Sequence, residues 1–408
     1  MNRSRTAPTE PVAYPGPRDP GRPFDPSVAH LRLLTESPLV RVTTWKGETA
    51  WLVTRHADQL ALLRDGRVGA DSTRPGYPSI NAVNEAFIAH NRTFITMDGA
   101  EHRGQRRRFA GYFTVRRVQA MRPRIQSLID DLLDTMESAG PPADLVTAFA
   151  LPLPSLVICD LLGIPYEDHA FFQSTSATML NVRSAAEESL GASREILGYL
   201  GDLLRAKREN PADDLLGHLA THYLATGLST ADECAKQARL LLVAGHETTA
   251  GMIALGVCAL LRHPEQLAAV RAADAAQTAN AVGELLRYLS TAHTGRRRVA
   301  LADIEIGGRL IRAGEGIICA GELANRDPDA FPAPERLDIA RQAPHRHLAF
   351  GSGPHQCLGQ NLARLELRLA YRALLDRFPH LRLAQPPDTI PYRAEMAFYG
   401  VDELAVTW

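Results

Sequence analysis

The chain has 408 residues, with 45 Lys+Arg against 46 Asp+Glu and a net charge of −1, so no global field draws it to nucleic acid or to an anionic membrane surface. Its length exceeds the usual size of a single core and supplies enough apolar material for an interior deep enough to bury a cofactor. The five cysteines, Cys159, Cys234, Cys258, Cys319 and Cys357, are odd in number and lack CxxC spacing, which argues against a disulfide framework or a zinc site and fits a reduced cytoplasm.

In chain order, residues 1–27 read as an extended Pro-rich arm. It has no apolar h-region, so neither a signal peptide nor an anchor is expected there. Residues 39–44 and 49–55 are β-prone and joined by a Trp45-Lys46-Gly47-Glu48 turn, an edge hairpin. A short helix through Leu60 to Leu63 follows. The stretch 69–92 interleaves Gly, Pro, Ser and Asn without period, and irregular segments of that length serve binding sites, so we read it as a lid. His102 and Arg106 then lie four apart, which places two cationic donors on one helix face. Ile125, Leu128, Ile129, Leu132, Leu133 and Met136 keep the spacing of a core-facing helix. Helical signals continue to about residue 203, interrupted at Pro152-Leu153-Pro154 and Gly163-Ile164-Pro165.

The longest predicted helix covers residues 230–261, about 45 Å at about 1.5 Å per residue. The run 240–261 is the one long apolar stretch, and His246-Glu247-Thr248-Thr249 interrupts it, which disfavours a membrane span. A carboxylate and two β-branched hydroxyls inside an apolar helix need compensation, since an unpaired buried polar group costs on the order of a few kcal/mol. Gly245 would let a ligand approach the backbone, and Thr248 could bond back to a carbonyl and distort the helix. Downstream, residues 291–298 turn extended, and Gly307-Gly308 between Ile304-Glu305-Ile306 and Leu310-Ile311-Arg312 signals a second hairpin.

The chain then reaches Phe350-Gly351-Ser352-Gly353-Pro354-His355-Gln356-Cys357-Leu358-Gly359. Gly351, Gly353 and Pro354 make a loop that bends sharply and can approach a flat ligand closely. Leu358, Leu362, Leu365 and Leu369 follow at helical spacing, which puts the Cys357 sulfur at a helix N-terminus that favours the thiolate, a metal-ligand setting.

Taken together, these elements make the chain resemble a soluble bacterial cytochrome P450 of the actinobacterial-like class I kind. The resemblance rests on Ala244-Gly245-x-Glu247-Thr248-Thr249, Glu284-x-x-Arg287, Glu335-Arg336-Leu337-Asp338 and the cysteine loop, in that order, with His102-x-x-x-Arg106 and Arg298-Val299-Ala300 in support. Alone, Glu284-x-x-Arg287 would read as an exposed salt bridge worth about 0–1 kcal/mol; its place in the series makes it informative. The resemblance implies a mainly α fold with small β-sheets, a triangular helical prism with a long central helix and a haem-thiolate loop, formed by one domain over residues 28–408. It implies haem b (iron protoporphyrin IX) with Cys357 as axial thiolate, the setting that favours O–O cleavage. His102, Arg106, Arg298 and His355 would face the haem propionates, with Phe350, Gly351 and Gly359 also at the cofactor. Glu284, Arg287 and Arg336 would form a structural network.

The same resemblance makes Thr248 and Glu247 the catalytic pair. In such enzymes dioxygen takes up two protons before it splits; the hydroxyl positions the donating water, and the carboxylate, one step from solvent, relays the protons. The bland alternative is that Thr248 only kinks the helix. The reaction expected is insertion of one oxygen atom into a mid-sized, largely hydrophobic organic molecule, in natural-product (secondary metabolite) biosynthesis or xenobiotic oxidation. Leu240, Val243, Ala244, Thr294, Met396 and Phe398 would line its pocket with the 69–92 loop and the helices around 162–203. No flavin or nicotinamide domain fits in this length, so a separate ferredoxin and ferredoxin reductase would supply electrons in the cytoplasm. Arg103, Arg107 and Arg108 are either a solvated face or a docking patch for that ferredoxin. Residues 50–54 and 251–257 also resemble the nitric-oxide-reducing branch that draws hydride from NADH, and oxidative C–C coupling is a further reaction class within the alternative. An intact Glu247-Thr248 pair weighs against nitric-oxide reduction, and a gas-sensing or electron-carrying haem protein would need neither lid nor relay. Cys159, Cys234, Cys258 and Cys319 lack a Gly/His loop and read as small buried hydrophobes.

Overall fold

The computed structural model describes residues 12–79, 85, 91–180, 185–393 and 398–408. Its principal helices are α1 (Val28–Glu36), α2 (His56–Arg64), α3 (Gly99–Ala110), α4 (Arg122–Ala139), α5 (Pro152–Leu162), α6 (His169–Leu180), α7 (Ala186–Glu209), α8 (Ala231–Leu261), α9 (Ala275–Tyr288) and α10 (Gln360–Arg377). The strands are β1 (Val12–Ala13), β2 (Leu39–Thr43), β3 (Thr49–Val53), β4 (Val68–Gly69), β5 (Ala143–Asp144), β6 (Arg296–Ala300), β7 (Ile304–Ile306), β8 (Arg309–Ile311), β9 (Gly316–Cys319), β10 (Arg382–Leu383) and β11 (Ala405–Thr407). The chain forms two compact units, one of residues 1–90, 95–98 and 280–357, the other of residues 91–94, 99–279 and 358–408.

The first unit is built on a six-stranded sheet ordered β1-β2-β3-β9-β6-β4. The predicted hairpin is not at the edge as expected: β2 and β3 are the second and third strands, covered by β1 on one side and β9 on the other, with Leu39 opposite Val53 and Val40 opposite Leu52. Because side chains alternate across a strand, Val40, Val42, Ala50, Leu52 and Ile318 pack on one face with Tyr14 and Leu33. Leu39, Trp51, Val53, Ile317 and Cys319 pack on the other with Leu62 and Ile311. The arm is tied in from its first described residues: β1 pairs in parallel with β2, and Arg18 forms a buried ion pair with Glu322 at 2.9 Å. β7 and β8 make the second predicted hairpin, and Gly307 and Gly308, at φ 57° and 72°, supply the left-handed backbone its turn requires.

The second unit is helical around α8. Thr230 caps α8 in a capping box with Glu233, so the helix starts where its sequence signal lies. By length and composition α8 could cross a bilayer, but 72% of its most apolar window is buried inside the protein; it is a core helix packed on α5, α7 and α10. Two glycines make that packing close. A Cβ on Gly245 would sit 3.2 Å from Ile158 of α5, and one on Gly256 would sit 2.0 Å from the Tyr371 hydroxyl of α10. That hydroxyl donates to Met252 O at 2.5 Å. Gly245 therefore admits a neighbouring helix on the Ile158 side.

Glu366 of α10 is 3% exposed, and its Oε2 has no hydrogen-bond partner among the described residues. Burial alone pushes its pKa well up, so the folded protein keeps this carboxyl protonated where the unfolded chain ionises it. The stability it contributes is full below the ordinary glutamate value and is lost as pH rises. We expect Glu366→Gln to raise the thermal midpoint at pH 8 and to leave it nearly unchanged at pH 5; equal shifts at both would refute a protonated carboxyl.

Candidate active site

In the first unit the cysteine loop closes on itself, with Cys357 N donating to Phe350 O at 2.9 Å. Gly351 and Gly353 have φ 70° and 73°, and a Cβ on either would strike Arg296 Nε at 2.8 Å or Leu63 O at 2.1 Å. Both glycines are thus demanded by conformation and by space. Arg64 Nε donates to Ser352 Oγ at 2.9 Å, and Arg296 Nη2 to Ala349 O at 2.5 Å, which fixes the loop from two sides. Cys357 is the one exposed cysteine; the other four are buried, and burial raises the Cys159 thiol to about 12 and the Cys319 thiol to about 11. α10 starts at Gln360 with Gly359 as its N-cap, so Cys357 stands one short turn before the helix. A Cβ on Gly359 would meet only Phe113 at 3.8 Å, an ordinary contact, so nothing in the protein itself excludes a side chain there.

Arg298 of β6 is 9% exposed; its Nη1 donates to Arg297 O at 2.7 Å, and among the described residues no carboxylate pairs with it. Burial lowers the pKa of neighbouring Arg296, Arg298 adds to that, and Cys319 and Cys357 oppose it. His355 Nε2 lies 3.5 Å from Asp98 Oδ1, and Asp98 also accepts from Ala70 N and Asp71 N. Burial would raise the Asp98 pKa, but these bonds, His355 first, draw it to about 2. Asp98 had no role in the sequence reading. Phe350 is half-buried, its ring 5.7 Å from that of His347.

In the second unit, α8 carries the acid and the alcohol. Around its middle, Leu241, Leu242, Val243, His246, Glu247 and Thr249 are buried, whereas Ala244 is exposed and Leu240, Gly245 and Thr248 are half-buried. Leu240, Ala244 and Thr248 fall at i, i+4 and i+8 and so form one open stripe along the largely covered middle of the helix. Thr248 Oγ1 donates to Ala244 O at 2.8 Å, the back-bond its position suggested, without ending the helix.

Glu247 differs from expectation: it is 3% exposed, and its Oε2 lies 3.3 Å from Arg393 Nη1. The buried charge is held by a guanidinium, which in turn has its Nε 3.8 Å from exposed Asp402. His246 Nδ1 lies 3.9 Å from Glu247 Oε1. Burial lowers the His246 pKa, Glu247 opposes this and Arg393 adds to it. Arg393, 146 residues away from Glu247 in sequence, belongs to no motif, and nothing in the sequence pointed to it.

Of the remaining residues, His102 is buried and Arg106 half-buried, one turn apart on α3. Thr294 and Phe398 are half-buried, and Met396 lies outside the described residues, as do parts of the 69–92 loop and of the 162–203 region. Arg103 and Arg107 are exposed. Arg108 instead lies over the Tyr223 ring at 4.5 Å and donates to Ser229 Oγ, so it leaves the group of three.

Glu284 and Arg287 are fully buried and doubly bonded at 2.7 Å, not an exposed pair. The second guanidinium on Glu284 is that of Arg341, at 3.0 Å. Arg336 joins through its carbonyl oxygen, which accepts from both Arg287 and Arg341; among the described residues its guanidinium forms no ion pair.

Residues 225–394 match the family model Cytochrome P450. The chain is 50% identical to cytochrome P450-SU2 of Streptomyces griseolus, covering 99% of each. It is 48% identical to pentalenic acid synthase of Streptomyces avermitilis over the whole of both chains. Its backbone is similar, at TM-score 0.90 and 42% identity, to the crystal structure of the mycinamicin VIII C21 methyl hydroxylase of Micromonospora griseorubida bound to mycinamicin VIII, covering 97% of this chain and 100% of that one. The residues present suit the haem this kinship implies: an accessible thiol in a glycine-shaped loop, and a buried arginine with no competing acid for a carboxylate. With its mostly helical fold and small sheets, the chain belongs to the cytochrome P450 family and is a monooxygenase.

Proposed function

We propose that the chain binds haem b through Cys357 and hydroxylates a mid-sized, largely hydrophobic natural-product intermediate or xenobiotic. The observation that carries this reading is the pairing, on α8, of an accessible Thr248 with a buried Glu247 held by Arg393. Pentalenic acid synthase supports the substrate class by its name. The intact acid–alcohol pair leaves nitric-oxide reduction unfavoured.

When bound, the haem supplies dioxygen activation, and the Cys357 thiolate is its electron-donating ligand. Arg298, His102, Arg106 and His355 would hold its propionates, Arg298 with a guanidinium suited to bidentate pairing, while Phe350, Gly351 and Gly359 would leave room for a flat ring. Leu240, Val243, Ala244, Thr294, Met396 and Phe398 exclude water and orient the substrate by apolar contact. Thr248 Oγ1 spends its proton on Ala244 O, so its lone pairs remain to hold a water, and Glu247 passes protons toward that water. Arg393 and exposed Asp402 extend Glu247 toward solvent. Arg103 and Arg107 serve an acidic ferredoxin, itself reduced by a ferredoxin reductase, in the cytoplasm. Residues 28–408 act as one catalytic domain.

Replacing Thr248 with Ala tests the relay. Haem content and ligand affinity should hold, while product formed per electron consumed falls and the rate of product formation drops by about 100-fold or more, the scale of lost proton-transfer assistance. Full coupling in that variant would sink the role given to Thr248.

A further inference from the structure

We propose that the N-terminal arm is a working part of the active-site wall: Tyr14 and Arg18 are positioning residues that fix the segment 290–295, and through Thr294 they set which bulky molecules the site admits. This rests on the reading of Thr294 as a wall residue.

The segment joins the end of α9 to the start of β6, and within it His293 N donates to Thr291 O at 3.0 Å. The arm bonds it from outside. Tyr14, 6% exposed, donates its hydroxyl to His293 O at 3.2 Å. Gly295, at φ +71°, is pressed so closely that a Cβ there would lie 3.1 Å from the same hydroxyl and 2.6 Å from Ile318. Thr294 thus lies between a residue that Tyr14 bonds and a glycine whose missing side chain leaves room for Tyr14.

Arg18 grips the other end. Its Nη2 donates to Ser290 O at 3.2 Å while paired with Glu322 at 2.9 Å. Its Nη1 donates to Asp25 O at 3.3 Å and to Pro23 O at 3.4 Å, which locks the arm's own course. The aromatic ring of Tyr14 sits in the sheet core, so its hydroxyl is carried by a rigid support. Burial, then Glu322, pushes the Tyr14 pKa well up, and the hydroxyl stays a donor at any working pH. Arg296, which braces the cysteine loop, follows directly on Gly295, so a displaced segment would first move Thr294 and only then the loop.

The test uses the ferric holoenzyme and two azoles of different size, imidazole and 4-phenylimidazole, in optical titrations. Tyr14→Phe removes one oxygen and should change the 4-phenylimidazole affinity by about fivefold, the effect of one hydrogen bond lost from a buried support. Imidazole affinity and the reduced carbon-monoxide band should stay as in the parent, and Arg18→Met should shift the larger azole in the same sense. If both azoles are unchanged, or both weaken equally, the proposal is overturned; loss of the carbon-monoxide band in Tyr14→Phe would equally overturn it by making the arm a support of the haem site as a whole. Thr294→Phe separates the layers. No effect of that variant on 4-phenylimidazole would remove Thr294 from the wall, whereas a block there with silent Tyr14→Phe would remove only the arm.

Discussion

Cys357→Ser should lose the strongly red-shifted reduced carbon-monoxide band, and with it oxygenase activity, while the polypeptide stays folded. The substitution is nearly isosteric, and what shapes the loop lies elsewhere: Gly351 and Gly353 at positive φ, the Cys357 N to Phe350 O bond, and Arg64 on Ser352. The side chain itself is exposed in the protein, so exchanging sulfur for oxygen removes little packing. What changes is the donor. A thiolate is a soft, readily ionised ligand, and a serine hydroxyl is neither. Anaerobic reduction under carbon monoxide, with haem content measured beside it, decides the matter. A Ser variant that keeps both the haem and the band would overturn the assignment of Cys357.

The second large effect is on stability. Glu284→Gln should destabilise the holoenzyme by about 3–5 kcal/mol, the range for breaking a buried ion pair by removing one partner. Two guanidiniums share this carboxylate, and Asp338 N donates to it at 3.0 Å. Without its charge, Arg287 and Arg341 face one another as buried like charges. They cannot simply turn away, because Arg287 is committed to Asn325 O and Pro334 O and Arg341 to Pro332 O and Ala333 O. Ala333, a non-glycine residue at φ 46°, belongs to this same network through its carbonyl oxygen, which accepts from Arg341. Denaturant unfolding would measure the loss, with Arg205→Ala as a control: its partner Asp202 and it are more than half exposed, and that pair should matter by about 0–1 kcal/mol. Equal midpoints for Glu284→Gln and the parent would mean that the network is dispensable.

What the sequence made legible were features whose cause is local. The hairpin over β2 and β3, the Gly307-Gly308 turn and the capped start of α8 each have their determinants within a few residues. The glycines of the cysteine loop belong here too, since their φ values are properties of the loop itself. Partner choice was not legible. Motif order brought Glu284 and Arg287 together but could not distinguish Arg341 from Arg336, because which guanidinium turns inward depends on the path of residues 332–341 through space. Arg393 reaches Glu247, and Tyr14 reaches His293, across 146 and 279 residues; no spacing rule spans such distances. Gly245 carries two readings at once. Its lack of a side chain admits Ile158, and helix packing leaves the same mark in a sequence as ligand approach does.

The open stripe of α8 has a use of its own. Leu240, Ala244 and Thr248 succeed one another every four residues, about 6 Å apart along the helix axis, with the hydroxyl proposed to hold the water as the last rung. On that proposal the helix is graduated like a depth gauge. Enlarging Ala244 should then shorten the reach available beside Thr248, and trimming Leu240 should lengthen it one step farther out. Substrate length could be retuned at these two rungs while Glu247, Arg393 and the thiolate loop are left untouched.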